Sequence, residues 1–153
     1  MKFARIAAAA LAFSALGAGA AAASEIEAAV EARQGQFKLF SFNIGPLVEM
    51  AQGDIEYDAD MAATAAENLA KVTTLQQDWL WPEGSDNESI DDTRALPAIW
   101  EDLGDFADKH AALGEATAEL EMVAGDGLDA LRGAIGAVGN ACSACHDEYR
   151  AEQ

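Results

Sequence analysis

The stretch "LDALRGAIGAVGNACSACHDEYR", residues 128–150, decides the fold. Leu128, Leu131, Ile135, Val138, Cys142, Cys145 and Tyr149 follow one another in steps of three and four. That rhythm lines one face of an α-helix with apolar side chains. Alternating threes and fours are also the seam geometry of helices packed nearly parallel in a bundle. Gly133, Gly136 and Gly139 lie near the seam. Each weakens the helix by roughly 1 kcal/mol, and each leaves room. A bundle with gaps along one seam can hold something flat in its core.

One such helix cannot bury its stripe alone, and three partners are legible upstream. The first carries Ile26, Val30, Phe37, Phe40, Ile44, Leu47 and Ala51, with Pro46 as a possible bend and Gly53 as its C-terminal stop. The second opens at Asp58, a good N-cap, and continues through Met61, Ala65, Leu69, Val72 and Trp79. The third starts at Pro97, suited to a first helical turn, and carries Ile99, Leu103, Phe106, His110, Leu113, Thr117, Leu120 and Ala124. Asp126 is placed to cap the fourth. Two connections are short, which makes the helices they join antiparallel. The long one is acidic and polar, "WPEGSDNESIDDTRALP". No stretch alternates as a strand does. The expectation is an all-α protein, an antiparallel up-down four-helix bundle.

Residues 1–23 read differently. Lys2 and Arg5 precede an apolar run and then a series of small residues, the build of a secretory signal peptide. Its second half is Ala and Gly, too weakly apolar to anchor in a bilayer. Cleavage after Ala23 leaves residues 24–153 as one domain in an exported, periplasmic protein, with no membrane attachment. Removal takes away two cations and no acid, so the charge moves from −18 to −20. Such a charge argues against nucleic acid and anionic membranes.

The chain has two cysteines, both in "CSACH", with His146 directly after Cys145. C-x-x-C-H is the pattern of c-type haem attachment. Each thiol adds to a haem vinyl group, and the histidine supplies a nitrogen to the iron. On a helix Cys142, Cys145 and His146 share one face, so the haem would lie inside the bundle, one per chain and covalently held. A thioredoxin-type dithiol wants the motif at a helix start in a βαβ setting. A zinc site wants four ligands, and only His110 is spare. For the second axial position the donors available are His110, Met50, Met61 and Met122. The tryptophans Trp79, Trp81 and Trp100 read as packing residues.

These features resemble cytochromes c′ over nearly all of the chain after the leader. "ARQGQF", "QGDIEYDA", "LPAIW" and "GDGLDALRGAIGAVGNACSACHDEYR" carry the likeness. The resemblance implies a distal face over the iron covered by Phe37. In related low-spin bundle cytochromes a methionine near that place binds the metal. Phe37 has no ligand atom, so the implied iron is five-coordinate, with His146 on one side and an apolar pocket on the other. With no distal donor obvious, NO and CO would be favoured over O₂. The resemblance further implies Arg33, Gln34, Thr93 and Arg94 as propionate contacts and Arg150 beside the proximal histidine. It implies no catalytic residue, a role in gas binding or electron transfer with a redox partner protein, and a homodimer through the first two helices. Phe40 and Phe42 lie on different faces of the first helix, so one of them could serve that interface. The competing expectation is a six-coordinate low-spin electron carrier.

Overall fold

A computed structural model describes residues 14–152. Its helices are α1 (Ser14–Gln52), α2 (Ala59–Thr73), α3 (Ala98–Glu101), α4 (Leu103–Val123) and α5 (Leu128–Tyr149). Much of the leader, residues 1–13, lies outside the described residues. Among those described there is no strand, and no helix is long and apolar enough to cross a membrane. The four long helices form the expected bundle. α1 packs on α2, α2 on α4 and α4 on α5, and α5 closes back on α1.

The turns follow from their residues. α1 runs unbroken through Pro46 and stops at Gly53, whose φ of +85° is the left-handed conformation that glycine adopts without strain. The N–H groups of Gly53 and Asp54 then bond to the Glu49 carbonyl at 3.0 and 2.9 Å. Asp58 caps α2, its carboxylate accepting from the Met61 N–H at 2.8 Å.

Two local expectations need correction. The helix expected to run on from Pro97 is interrupted at Asp102, where the backbone turns to φ −140°, ψ 75°. There the Asp102 carboxylate accepts from the Asp105 N–H at 3.0 Å. A short acidic side chain that satisfies the next helix's free N–H favours a fresh start over continuation. Asp126 does not cap α5. The cap position is Gly127, at φ +128°, without a side-chain bond. Tyr57 does the work instead: its hydroxyl accepts from the Gly127 N–H at 3.0 Å and donates to the Ala124 carbonyl at 2.8 Å.

The core has two parts. At one end Leu47, Met50, Leu69, Leu120, Leu131 and Val138 pack with Ala62, Ala65, Ala66 and Ala124. The alanines let the helices approach closely. At the other end Ile99, Phe106, Tyr149 and Ala95 pack with Trp81 and Trp100. Here the rings stack in sequence: Trp81 on Phe106 at 4.7 Å and Phe106 on Tyr149 at 5.3 Å, both edge-on. Trp79 is not a packing residue. It is 87% exposed, because it stands in the loop beyond the end of α2, where the stripe has no facing helix. Phe40 packs inward, and Phe42 lies 78% exposed on the outer face of α1.

The long connection is tied down at both ends. Ala95 pairs with Arg150 in an isolated antiparallel bridge, Leu96 N–H bonds to the Tyr149 carbonyl at 3.0 Å, and Ala151 N–H bonds to the Arg94 carbonyl at 2.9 Å. At the α1 end the anchor is Arg33.

Candidate haem site

Between the two core clusters lies a cavity of about 540 Å³, within the size range of ligand pockets. It is lined by Cys142, Cys145 and His146 from α5, Phe37, Phe40 and Ile44 from α1, and Phe106, His110 and Leu113 from α4. Arg33, Gln34, Thr93, Arg94 and Arg150 line it too. Every site residue expected from the sequence therefore borders one space. A separate groove of about 580 Å³ on the α1–α2 face, lined by Phe42, Pro46, Met61 and Asn68, holds no thiol and no imidazole.

The α5 side chains stand where their seam places them. Cys142 packs on the first core cluster and Cys145 on the second, so the two thiols straddle the cavity wall. Both are free and half-buried. Burial pushes both thiols above their usual range. Such thiols are poor redox nucleophiles, which speaks against a dithiol motif. Burial also pushes the His146 imidazole down, and the nearby cations of Arg150 and Arg94 push it further. The neutral ring keeps a lone pair for a metal. Arg150 Nη1 stands 3.5 Å from His146 Nε2.

The opposite wall carries Phe37, its ring 6.0 Å from Phe40 and 6.4 Å from Trp81. Among the described residues, no methionine lines the cavity. Met50 is buried in the first core cluster, its sulfur accepting from the Asp58 N–H at 3.4 Å, while Met61 and Met122 are exposed. Of the four donors available for a second axial position, His110 is therefore the one that reaches the cavity.

Arg33 is only 2% exposed. Its Nη1 donates to the Leu80 carbonyl at 3.1 Å and Ser85 Oγ at 2.7 Å; Nη2 donates to the Ser85 carbonyl and to Thr93 Oγ1 at 2.9 Å. The guanidinium also lies 4.4 Å over the Trp81 ring. Burial lowers its pKa to about 10, with Asp86 pulling the other way. All four Nη hydrogens thus go to the loop, one of them to Thr93. Gln34 donates from Nε2 to the Asp92 carbonyl. Arg94 and Arg150 are exposed at the rim.

The fit to a haem rests on the lining as a whole. Its walls are apolar and aromatic, yet it gathers Arg33, Lys38, Arg94, Lys109 and Arg150 against a single acid, Asp92. That is five of the nine basic residues of a chain whose net charge is −18. An apolar slot with cations is the environment for a flat hydrophobic molecule that ends in carboxylates. The sequence did not single out Lys38 or Lys109; their spacing from Gln34 and Phe106, one turn each, was the available signal. Lys109 is held by Asp105 at 3.3 Å and Glu148 at 2.9 Å. Two further wall residues carry buried polar atoms without a partner, Gln36 Oε1 and His110 Nε2.

Fold and site together define a helical-bundle haem protein of the c type. A sequence profile described as cytochrome c′ matches residues 28–150. Cytochrome c-554 of Cereibacter sphaeroides is 41% identical over 128 residues, 84% of each chain. Cytochrome c′ of the same organism is 40% identical over 134 residues, 88% of this chain and 90% of that one. The structure of "cytochrome c′ from Rhodobacter Spheriodes" superposes with a TM-score of 0.81 at 39% identity, over 84% of this chain and 98% of that one. A nitric oxide complex of a variant cytochrome c′ from Alcaligenes xylosoxidans superposes at 0.72 and 31% identity, over 83% and 97%. The chain belongs to the cytochrome c′ family, whose members are themselves standard examples of the up-down bundle, and its cofactor is a c-type haem.

Proposed function

We propose that the chain is an exported periplasmic protein, residues 24–153 after loss of the signal peptide 1–23, that binds NO or CO at five-coordinate high-spin iron and takes part in electron transfer. Haem, when bound, supplies an iron centre able to take a small neutral ligand or an electron. Cys142 and Cys145 would hold it through thioethers, and His146 would supply a ring nitrogen to the iron. Phe37, on the opposite wall of the cavity, offers no ligand atom, so the iron would be left open to a small molecule. Arg94, Gln34 and the charge of Arg33 face the propionates, with Thr93 fixing Arg33. Arg150 stands beside His146 and orients the ring. No dedicated substrate reaction is proposed.

The observation that carries this reading is the single cavity bordered at once by "CSACH", Phe37 and five basic side chains. The nitric oxide complex of a structural relative supports the choice of ligand. The partners proposed are NO, CO and a redox protein. A second copy of this chain is proposed on the α1–α2 face, where Phe42 and Met61 are exposed. The six-coordinate alternative draws on His110, whose Nε2 is buried on the cavity wall without a partner.

An absorption spectrum of the purified holoprotein separates the two. High-spin bands in both oxidation states, with CO uptake on reduction, are expected. A sharp low-spin ferrous spectrum indifferent to CO would overturn the five-coordinate reading.

A further inference from the structure

Phe37 lines the haem cavity and is 43% exposed, so few neighbours hold its ring. Two rings stack on it. Phe40 stands 6.0 Å away, three residues further along the same helix, and moves with it. Trp81 stands 6.4 Å away and nearly edge-on, at 70°. Trp81 belongs to no bundle helix. It lies in the long connection between α2 and α3, and it lines the cavity too.

Trp81 is fixed far better than the ring it meets. The Arg33 guanidinium lies 4.4 Å over its face, and Arg33 is itself locked to the loop. Phe106 of α4 packs on the indole at 4.7 Å, and Trp100 at 6.4 Å. Trp100 Nε1 donates to the Trp81 carbonyl at 3.1 Å, and Trp81 Nε1 donates to Gln77 Oε1 at 3.4 Å. Backbone and side chain are both tied. Arg33 and Phe37 are one turn apart on α1 and share a face, and the indole meets both. Between a tied indole and a half-open phenyl ring, the indole is the wall. The phenyl is the part free to swing between rotamers.

We propose that Trp81 is a positioning residue for Phe37: it holds the ring in the cavity and so sets how fast a diatomic ligand reaches the iron. The proposal rests on the reading of this cavity as a haem site with its sixth position open. A ligand that enters past Phe37 requires the ring to turn away from Trp81. The edge-on contact is lost during that turn and therefore adds to the barrier for entry. Access is thus controlled from the loop, by a residue that touches neither the motif nor the ligand.

The test uses the reduced holoprotein and CO. The association rate is read after flash photolysis in the wild type, Trp81→Leu, Trp81→Phe, Phe37→Ala and the double variant Phe37→Ala with Trp81→Leu. Covalent haem content and the spin state of the iron serve as controls. Trp81→Leu should bind CO roughly 2- to 13-fold faster, the worth of one edge-on aromatic pair. Trp81→Phe, with a smaller ring, should lie between it and the wild type. Phe37→Ala should also be faster than the wild type, and adding Trp81→Leu to it should bring no further gain. Urea unfolding gives a readout without ligand. The stability losses of Phe37→Ala and Trp81→Leu should sum to more than the loss in the double variant, because both remove one shared contact. A residue that only packs the loop would weaken folding and leave the CO rate alone. A Trp81→Leu rate equal to the wild type's would overturn the proposal and leave the five-coordinate reading intact. So would Phe37→Ala at the wild-type rate, or a double variant whose gain is the product of the two single gains. Where Trp81→Leu does not assemble, Trp81→Phe decides in its place, and a rate equal to the wild type's overturns the proposal. A low-spin wild type indifferent to CO would overturn the reading beneath it as well.

Discussion

Replacing Arg33 by Met should unfasten the loop over the haem cavity. The side chain keeps its stem and loses its fork. Leu80 O, Ser85 O, Ser85 Oγ and Thr93 Oγ1 would each lose a charged donor, and Ser85 is fully buried. Hydrogen bonds to a charged group are worth about 1.5–3 kcal/mol each. They do not add, and removing the guanidinium also removes the cost of burying its charge. A net loss of about 3–5 kcal/mol is expected. That is a large share of the 5–15 kcal/mol typical of a domain. Arg33→Lys should recover less than half of it, because one ammonium cannot serve acceptors on two sides as a planar fork does. Urea unfolding of the holoprotein, followed by far-ultraviolet circular dichroism, gives the number by linear extrapolation. Limited proteolysis should show new cleavage between residues 80 and 93. A loss under about 1 kcal/mol with no new cleavage would refute the claim that Arg33 holds the loop.

The other predictions concern single contacts. Tyr149 donates to Asp105 Oδ2 at 2.6 Å, a bond that holds the carboxyl below, and the phenol above, their usual ranges. Folding favours the ionised acid and the neutral phenol. The stability lost in Tyr149→Phe should therefore be constant between about pH 4 and 10 and shrink beyond either end; a difference that stays the same on going below about pH 4 and above about pH 10 would refute it. Phe37→Met should convert part of the protein to a low-spin form with weaker CO uptake, visible in the absorption spectrum; an unchanged spin state would count against Phe37 lying over the iron. Tyr57→Phe strips the partner from both Gly127 N–H and the buried Ala124 carbonyl, so it should destabilise by about 2 kcal/mol in the same urea assay.

The bundle was legible because helical periodicity is local and repeated: the stripes on α1, α2, α4 and α5 each announce a buried face. The break at Asp102 was harder to see, since an apolar stripe continues across it while one capping bond redirects the chain. Its signal was an aspartate three residues before Asp105, with Gly104 between. The site was legible where a motif fixes it, at Cys142, Cys145 and His146. Arg33 was expected at the cavity, and it is there, but its bonding to residues 80–93 depends on where a long irregular loop comes to rest, which no period encodes. Gln36 lies between Gln34 and Lys38, off the first stripe, where a buried amide looks like any surface glutamine until its partner on α2 is seen.

The cavity between the two core clusters bears on the order of assembly. A slot of about 540 Å³ left unfilled among packed helices would deprive its apolar and aromatic walls of contacts, and a domain held by only about 5–15 kcal/mol has little to spare for that. The cofactor is thus a piece of the scaffold as much as a reagent, and compactness should arrive with it. A chain denied its haem should be found as a loose, protease-sensitive species, and its abundance in the cell should track the supply of haem more closely than the rate of its own synthesis.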